Sequence, residues 1–106
     1  MKQHITQIEL GIFRVNNQDK YESLFNLLGY AFIPIDRLAE MLTIGKMIEI
    51  LEDYCERRLT IRKTDALDWA VESEMGSYKK YEFELCDALW EAVKEVLWSI
   101  PVIKER

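Results

Sequence analysis

Acidic residues outnumber basic ones by 19 to 14, and four of the acids form a row at helical spacing. They occupy positions i, i+3, i+7 and i+11 and are Glu84, Asp87, Glu91 and Glu95. This spacing puts their carboxylates along one side of a helix. Such a row is typical of a solvated surface, and it also suits recognition by a basic partner or mimicry of a phosphate backbone. A carboxylate pair in acid–base catalysis would need a cleft and a raised pKa, and the sequence indicates neither.

The one basic cluster lies at the end of a predicted helix and just beyond it. Its members are Arg57, Arg58, Arg62 and Lys63. Arg57 and Arg58 fall in the last helical turn, where a cation offsets the negative end of the helix dipole by about 0.3–1 kcal/mol. The alternative is that all four residues contact an anion or an acidic partner. Both interpretations stay open, so the cluster is a candidate partner-binding site.

The residues that most enzymes require are scarce. His4 is the single histidine and lies near the N-terminus, where it is poorly placed to act as a catalytic base. Cys55 and Cys86 are not part of a CxxC or Cys/His group, and there are too few such residues for a zinc site. The four glycines are too widely separated for a phosphate-binding loop. We therefore expect no enzymatic activity, no metal and no cofactor.

Two aromatic residues complete the set of candidate partner-binding positions. Tyr78 and Trp98 mark the two ends of the predicted last helix, where a side chain is more exposed than in the core. Exposed tyrosine and tryptophan are favoured hot-spot residues of protein interfaces. The sequence thus predicts interface contacts at both ends of this helix.

Length and composition predict one globular domain over residues 1–106. The chain has 106 residues, of which 49% are hydrophobic and 31% are charged, enough for a single core without disulfides. A net charge of −5 argues against general nucleic-acid binding, because phosphates would be repelled. The N-terminus lacks the apolar segment of a signal peptide. The longest apolar stretch, residues 27–35, is too short to cross a bilayer. We expect a cytoplasmic protein with reduced cysteines and no membrane partner.

Apolar periodicity and capping residues predict a mainly α-helical bundle of four to five helices. The predicted helices cover residues 18–28, a short segment from 35 or 36, and residues 44–58, 66–75 and 78–99. Thr43 is placed to cap the third of these, and Gly29 stands where a left-handed residue ends the first. A small β element is predicted over residues 6–15 and 59–63.

The first of these β segments is ambiguous. Ile8, Leu10 and Ile12 alternate as in a strand, whereas Ile5, Ile8, Ile12 and Val15 suit one face of a helix. Gly11 weakens a helix, and the β-branched residues favour a strand. The balance favours a strand slightly.

The last predicted helix carries an unusually broad apolar stripe. Its central positions are Leu85, Leu89, Ala92, Val93, Val96 and Ile100, and Cys86, Trp90 and Leu97 widen it. Such a stripe covers about half of the helix surface, more than one neighbouring helix can bury. Either this helix runs through the middle of the domain, or part of it contacts a second chain.

Residues 37–63 are also compatible with a helix-turn-helix motif, which would consist of a short helix, a tight turn at residues 42–44 and a recognition helix. In that alignment Glu49 falls where a buried residue is needed. The presumed recognition face carries Glu49, Glu52 and Asp53, which phosphates would repel. Nucleic acid is therefore an unlikely partner, and a small nucleic-acid-binding regulator is the alternative hypothesis.

The segment Leu42–Leu51, LTIGKMIEIL, resembles a short sequence segment found in small helical proteins of phages and prophages of Gram-positive bacteria. The resemblance implies an assembly chaperone, adaptor or inhibitor without enzymatic activity, and it transfers no functional residue. Together with the charge pattern, it favours a non-enzymatic protein–protein interaction module. The apolar flank of the last helix is its expected contact surface, either with another protein or with a second copy in a homo-oligomer.

Overall fold

The computed structural model describes residues 2–54, 59–73 and 79–99. These residues form five helices and a small antiparallel sheet, which confirms a compact, mainly α-helical single domain with a small β element. The helices are α1 (Gln7–Asn16), α2 (Gln18–Leu27), α3 (Ile35–Met41), α4 (Ile44–Tyr54) and α5 (Leu85–Ser99). The strands are β1 (Leu59–Lys63), β2 (Trp69–Ser73) and β3 (Lys79–Glu82), in the order β1-β2-β3.

The preference for a strand over residues 6–15 was wrong, because this segment forms α1. Its start is fixed by a capping box: Thr6 Oγ1 accepts a hydrogen bond from the Glu9 N–H, and Glu9 Oε1 accepts one from the Thr6 N–H. This pair satisfies two N–H groups that a helix start leaves free. Leu10 and Phe13 then face the core. Burial on one side of the helix outweighs the cost of Gly11.

The helices predicted from residues 18 and 44 are present as α2 and α4, and the residues at their ends explain where they stop and start. Gly29 follows α2 with φ +83°, the left-handed conformation that glycine adopts at low cost. Thr43 Oγ1 accepts a hydrogen bond from the Lys46 N–H at 3.1 Å, which confirms Thr43 as the cap of α4. Leu51 is fully buried, whereas Ile48 is only partly buried. Cys55, four residues after Leu51 in the predicted helix, lies outside the described residues.

The N-terminal segment is held against the start of α4. The Ile5 N–H donates to the Leu42 carbonyl at 3.2 Å, and the Ile44 N–H donates to the Gln3 carbonyl at 3.2 Å. Ile5 and Leu42 are completely buried. His4 pairs with Thr43 in this contact, and its side chain is exposed.

The prediction of a helix over residues 66–75 was wrong. The prediction that the last helix starts at residue 78 was also wrong. Residues 59–73 form a hairpin, with Ile61 opposite Val71 and Lys63 opposite Trp69. Thr64 closes the turn, because its hydroxyl oxygen accepts from the N–H groups of Ala66 and Asp68. β3 pairs with β2, and α5 begins only at Leu85. Hydrogen bonding between these strands explains why the residues predicted to be helical form a sheet instead.

The hairpin turn contains a strained residue. Leu67 has φ +70°, and its side chain is 67% exposed. A non-glycine residue in this region costs about 1–2 kcal/mol. Because most of the Leu67 side chain is exposed, its burial offsets little of this cost.

We expect Leu67→Gly to raise the free energy of unfolding by about 0.5–1 kcal/mol, because glycine adopts this conformation without steric cost. Urea unfolding followed by circular dichroism measures the change. The matched control is Ala66→Gly, at the neighbouring position, where φ is negative. That variant should lower stability by about the same amount, since glycine only adds freedom to the unfolded chain. A loss of stability in both variants would contradict the strain argument.

α5 runs through the middle of the domain and packs against α2, α4, β2 and β3. Its buried residues are Cys86, Ala88, Leu89, Trp90, Ala92, Val93, Val96 and Leu97. The first of the two alternatives for the broad stripe is therefore correct. The described part of this apolar flank is used by the domain itself, so it does not offer the contact surface that the sequence suggested.

Candidate interaction surface

Two acids of the predicted row hold the N-terminal segment through Lys2. Lys2 Nζ donates hydrogen bonds of 2.6 Å to Asp87 Oδ1 and to Glu9 Oε2, and the Lys2 backbone N–H donates to Glu84 Oε1 at 3.0 Å. Partial burial alone would lower the pKa of Lys2, but the hydrogen bonds to Asp87 and Glu9 outweigh it and raise this pKa. Partial burial alone would raise the pKa of Glu9, but the bonds from Lys2 and Thr6 lower it. This lysine joins the N-terminus, α1 and α5.

The other two acids of the row are also paired within the domain. Glu91 Oε2 lies 2.7 Å from Lys94 Nζ on the same helix. Glu95 Oε1 accepts a hydrogen bond from Lys80 Nζ at 2.7 Å, which connects α5 to β3. All four acids thus lie on or beside α5 as predicted, but each has a donor from the same chain. Internal pairing weakens the negative potential that a basic partner would recognise.

The predicted basic cluster does not form one patch in the described part of the chain. Arg62 and Lys63 are neighbours on β1, so their side chains point to opposite faces of the sheet. Arg62 Nε donates to Glu72 Oε1 at 3.3 Å, and Lys63 Nζ lies 5.1 Å from the centre of the Trp69 ring. Each cation therefore has a structural contact of its own. Arg57 and Arg58 lie outside the described residues.

Trp98 is one of two predicted aromatic contacts, and its side chain is 55% exposed at the end of α5. Lys20 Nζ lies 5.6 Å from the centre of its ring, within the range of a cation–π contact. This contact fixes the ring beside the start of α2. Tyr78, the other predicted aromatic contact, lies outside the described residues.

A cleft of about 280 Å³ separates the C-terminal half of α1 from α5 and β3. Trp90 and Phe13 line it and touch edge to face, with ring centres 5.4 Å apart. Ile12 and Trp98 also line it, together with the Lys80–Glu95 ion pair. The charged groups of α5 and β3 on the cleft wall are paired, Lys80 with Glu95 and Lys94 with Glu91, and Asn16 and Asn17 add polar surface, so the cleft combines aromatic and polar walls.

Three exposed apolar side chains lie together on the outer side of α1. Ile8, Ile12 and Val15 occupy i, i+4 and i+7, and their side chains are 75%, 59% and 81% exposed. The sequence pattern had grouped these residues on one face of a possible helix, as the alternative to the slightly favoured strand. The signal for an exposed face was the second stripe formed by Leu10 and Phe13. α1 has two apolar sides, and the core covers one.

Cys86 is the cysteine within the described residues. Cys86 is completely buried, and this burial raises the pKa of its thiol to about 11, so the unreactive thiol form prevails at neutral pH. In residues 2–54, 59–73 and 79–99, no group of three or more histidine, cysteine or acidic side chains is arranged to hold a metal ion.

Residues 37–63, which the alternative hypothesis treats as a helix-turn-helix, include parts of α3, α4 and β1. The exposed side of α4 carries Glu49, Glu52 and Asp53. Lys46 lies on the same helix but is paired with Glu49 at 2.9 Å. This surface would meet a phosphate backbone with negative charge.

Within the described residues, no helix has the length and apolar content needed to span a bilayer. Comparison with known proteins finds no family model that matches the chain, and no significantly similar curated protein or solved structure.

Proposed function

We propose that the chain is a non-enzymatic protein–protein interaction module that binds through the outer face of α1. The observation that carries the proposal is the exposure of Ile8, Ile12 and Val15 along one helical side. Burying one such side chain in an interface contributes about 1.5–3 kcal/mol. Contiguous exposed apolar side chains are typical of binding surfaces. Trp98 extends the surface at the C-terminal end of α1, because it shares a cleft with Ile12.

The rigid attachment of α1 supports this role. Its inner side is fixed by buried Leu10 and by the contact of Phe13 with Trp90, and its first turn is tied to α5 through Glu9 and Lys2. A helix held in this way offers its outer face without paying an ordering cost on binding. The arrangement suits an adaptor, an assembly chaperone or an inhibitor.

The proposal includes a cytoplasmic location and an origin in a phage or prophage. A cytoplasmic location is consistent with the acidic composition and with the buried thiol of Cys86. The likeness of Leu42–Leu51 to phage and prophage proteins supports a role in phage biology, which the neighbouring genes would test. The nucleic-acid-binding alternative has less support, because the exposed side of α4 is acidic.

Site-specific photo-crosslinking tests the proposed surface. A photoreactive amino acid at position 12, introduced in the cells that produce the chain, should form an adduct of defined mass with one protein, identified by mass spectrometry. The double variant Ile8→Asp and Val15→Asp should reduce this adduct at least about tenfold, since two charges are then forced into an apolar contact.

The control carries the photoreactive group at position 26, where Asn26 is exposed on α2. This position should give no such adduct. Equal adducts from positions 12 and 26, or none from position 12, would contradict binding through α1.

A further inference from the structure

The outer face of α1 contains a hole of the kind that accepts a side chain from another helix. Ile8, Gly11, Ile12 and Val15 occupy i, i+3, i+4 and i+7, the four positions that form a hole in knobs-into-holes packing. They line a shallow groove on the surface, and a Cβ atom built at Gly11 meets nothing within 4 Å. The floor of the hole is open because glycine has no side chain. Ile12, beside it, is the protruding residue that such a hole fits.

We infer that the partner of this face is α1 of a second copy, packed antiparallel about a two-fold axis. This inference rests on the proposed function and specifies its partner. An axis between Gly11 and Ile12, the midpoint of α1, places Ile12 over Gly11 of the partner subunit. The same axis places Ile8 opposite Val15 of the partner subunit. Knob and hole lie on one surface, as a symmetric interface requires.

Local charge does not oppose this pairing. Two copies with a net charge of −5 repel each other, so the contact must avoid unpaired carboxylates. Glu9 is the single acid of α1, and Lys2 holds it at 2.6 Å. Arg14, at the edge of the groove, lies 5.8 Å from the Tyr21 ring. The face that is geometrically self-complementary is thus also free of repulsion.

The size of the contact sets its strength. α1 has 10 residues and is about 15 Å long, so the interface belongs to the small class, which forms weak and reversible complexes. We expect a dissociation constant on the order of 100 µM. The dimer should therefore exchange rapidly and become visible only in concentrated solution.

Charge exchange at position 12 tests the geometry. Sedimentation velocity of the full chain, over concentrations that span the expected dissociation constant, should show a monomer–dimer equilibrium. Ile12→Glu and Ile12→Lys alone should each weaken it at least about tenfold, because like charges meet across the axis. An equimolar mixture of the two variants should regain most of the lost affinity. The controls Asn26→Glu and Asn26→Lys, on α2, should leave the equilibrium unchanged.

Gly11→Ala provides an independent measurement. Since the added methyl group meets open space and alanine favours a helix, thermal stability of the monomer should rise. The same methyl group fills the hole, so the dimer should weaken several-fold. Opposite changes in the two measurements distinguish interface loss from unfolding.

The possible failures are distinct. A wild-type chain that stays monomeric, or single Ile12 variants that dimerise normally, would overturn self-pairing through α1. A mixture that does not regain affinity would overturn the two-fold arrangement. In each case, an adduct at position 12 with a different protein would still support the interaction module. Loss of both the dimer and the adduct would overturn the proposed function as well.

Discussion

Trp90→Ala should lower the free energy of unfolding by about 3–5 kcal/mol, the largest loss that we expect from a single substitution. Trp90 is 4% exposed in the central helix, and its ring meets Phe13 of α1 at 5.4 Å. Removing the ring opens a cavity and also removes the aromatic contact that holds α1 against α5. The loss should therefore affect both the core and the presentation of the outer face of α1.

Urea unfolding followed by far-ultraviolet circular dichroism measures this loss. Trp98→Ala is the matched control, because it removes the same side chain from the same helix at a position that is 55% exposed. That control should cost less than about 1 kcal/mol. A double-mutant cycle with Phe13→Ala should give a coupling of about 0.5–1.5 kcal/mol for the aromatic pair. Equal losses at positions 90 and 98 would contradict the role of Trp90 as a core residue that supports α1.

Elements with complete local signals were predictable from the sequence. α4 has a capping threonine and an amphipathic run, and α2 ends at a glycine whose φ of +83° explains why that residue stands there. Both signals act within a few residues. Their outcome does not depend on the rest of the fold.

The sheet depended on interactions that the local pattern does not contain. Ala70 and Val71 are adjacent and both fully buried, so they satisfy a helical stripe as well as a strand. Strand pairing decides between these readings, and β2 gains its hydrogen bonds from partners in β1 and β3. The same applies to α1, where the position of Trp90 decides which of two apolar sides is buried.

The candidate site was predictable in its residue types but not in its pairing. The acids of α5 were found at the right place, yet Lys2, the partner of Asp87, is 85 residues away in the chain. No spacing rule connects residues so far apart. The sequence likewise did not show which apolar side of α1 is buried, because the number of apolar faces does not show which one has a neighbour.

Lys2→Met should lower the free energy of unfolding by about 1–2 kcal/mol at neutral pH. Methionine keeps the length of the side chain and removes its charge, so Glu9 and Asp87 lose a shared cation. The side chains of Lys2, Glu9 and Asp87 are 24%, 30% and 33% exposed, which shields their two 2.6 Å contacts from full solvation. The loss should therefore exceed that of an ordinary surface ion pair.

The pH dependence of this loss has a defined sign. Glu9 has a lowered pKa in the fold, so its contribution is present above its ordinary value of 4.5 and disappears as the pH falls through the folded value. Lys2 has a raised pKa, so its contribution is complete below 10.5 and disappears as the pH rises through the folded value. The difference between wild type and Lys2→Met should be largest between these limits and should shrink on both sides.

Thermal unfolding from acidic to alkaline pH would measure that difference. The control is Lys46→Met, which breaks an i, i+3 pair with Glu49 whose side chains are 36% and 61% exposed. It should cost less than about 0.5 kcal/mol at every pH. A Lys2→Met loss equal to that of the control, or independent of pH, would show that Lys2 does not fix α1 to α5. The outer face of α1 would then lack the rigid support on which its role as a binding surface depends.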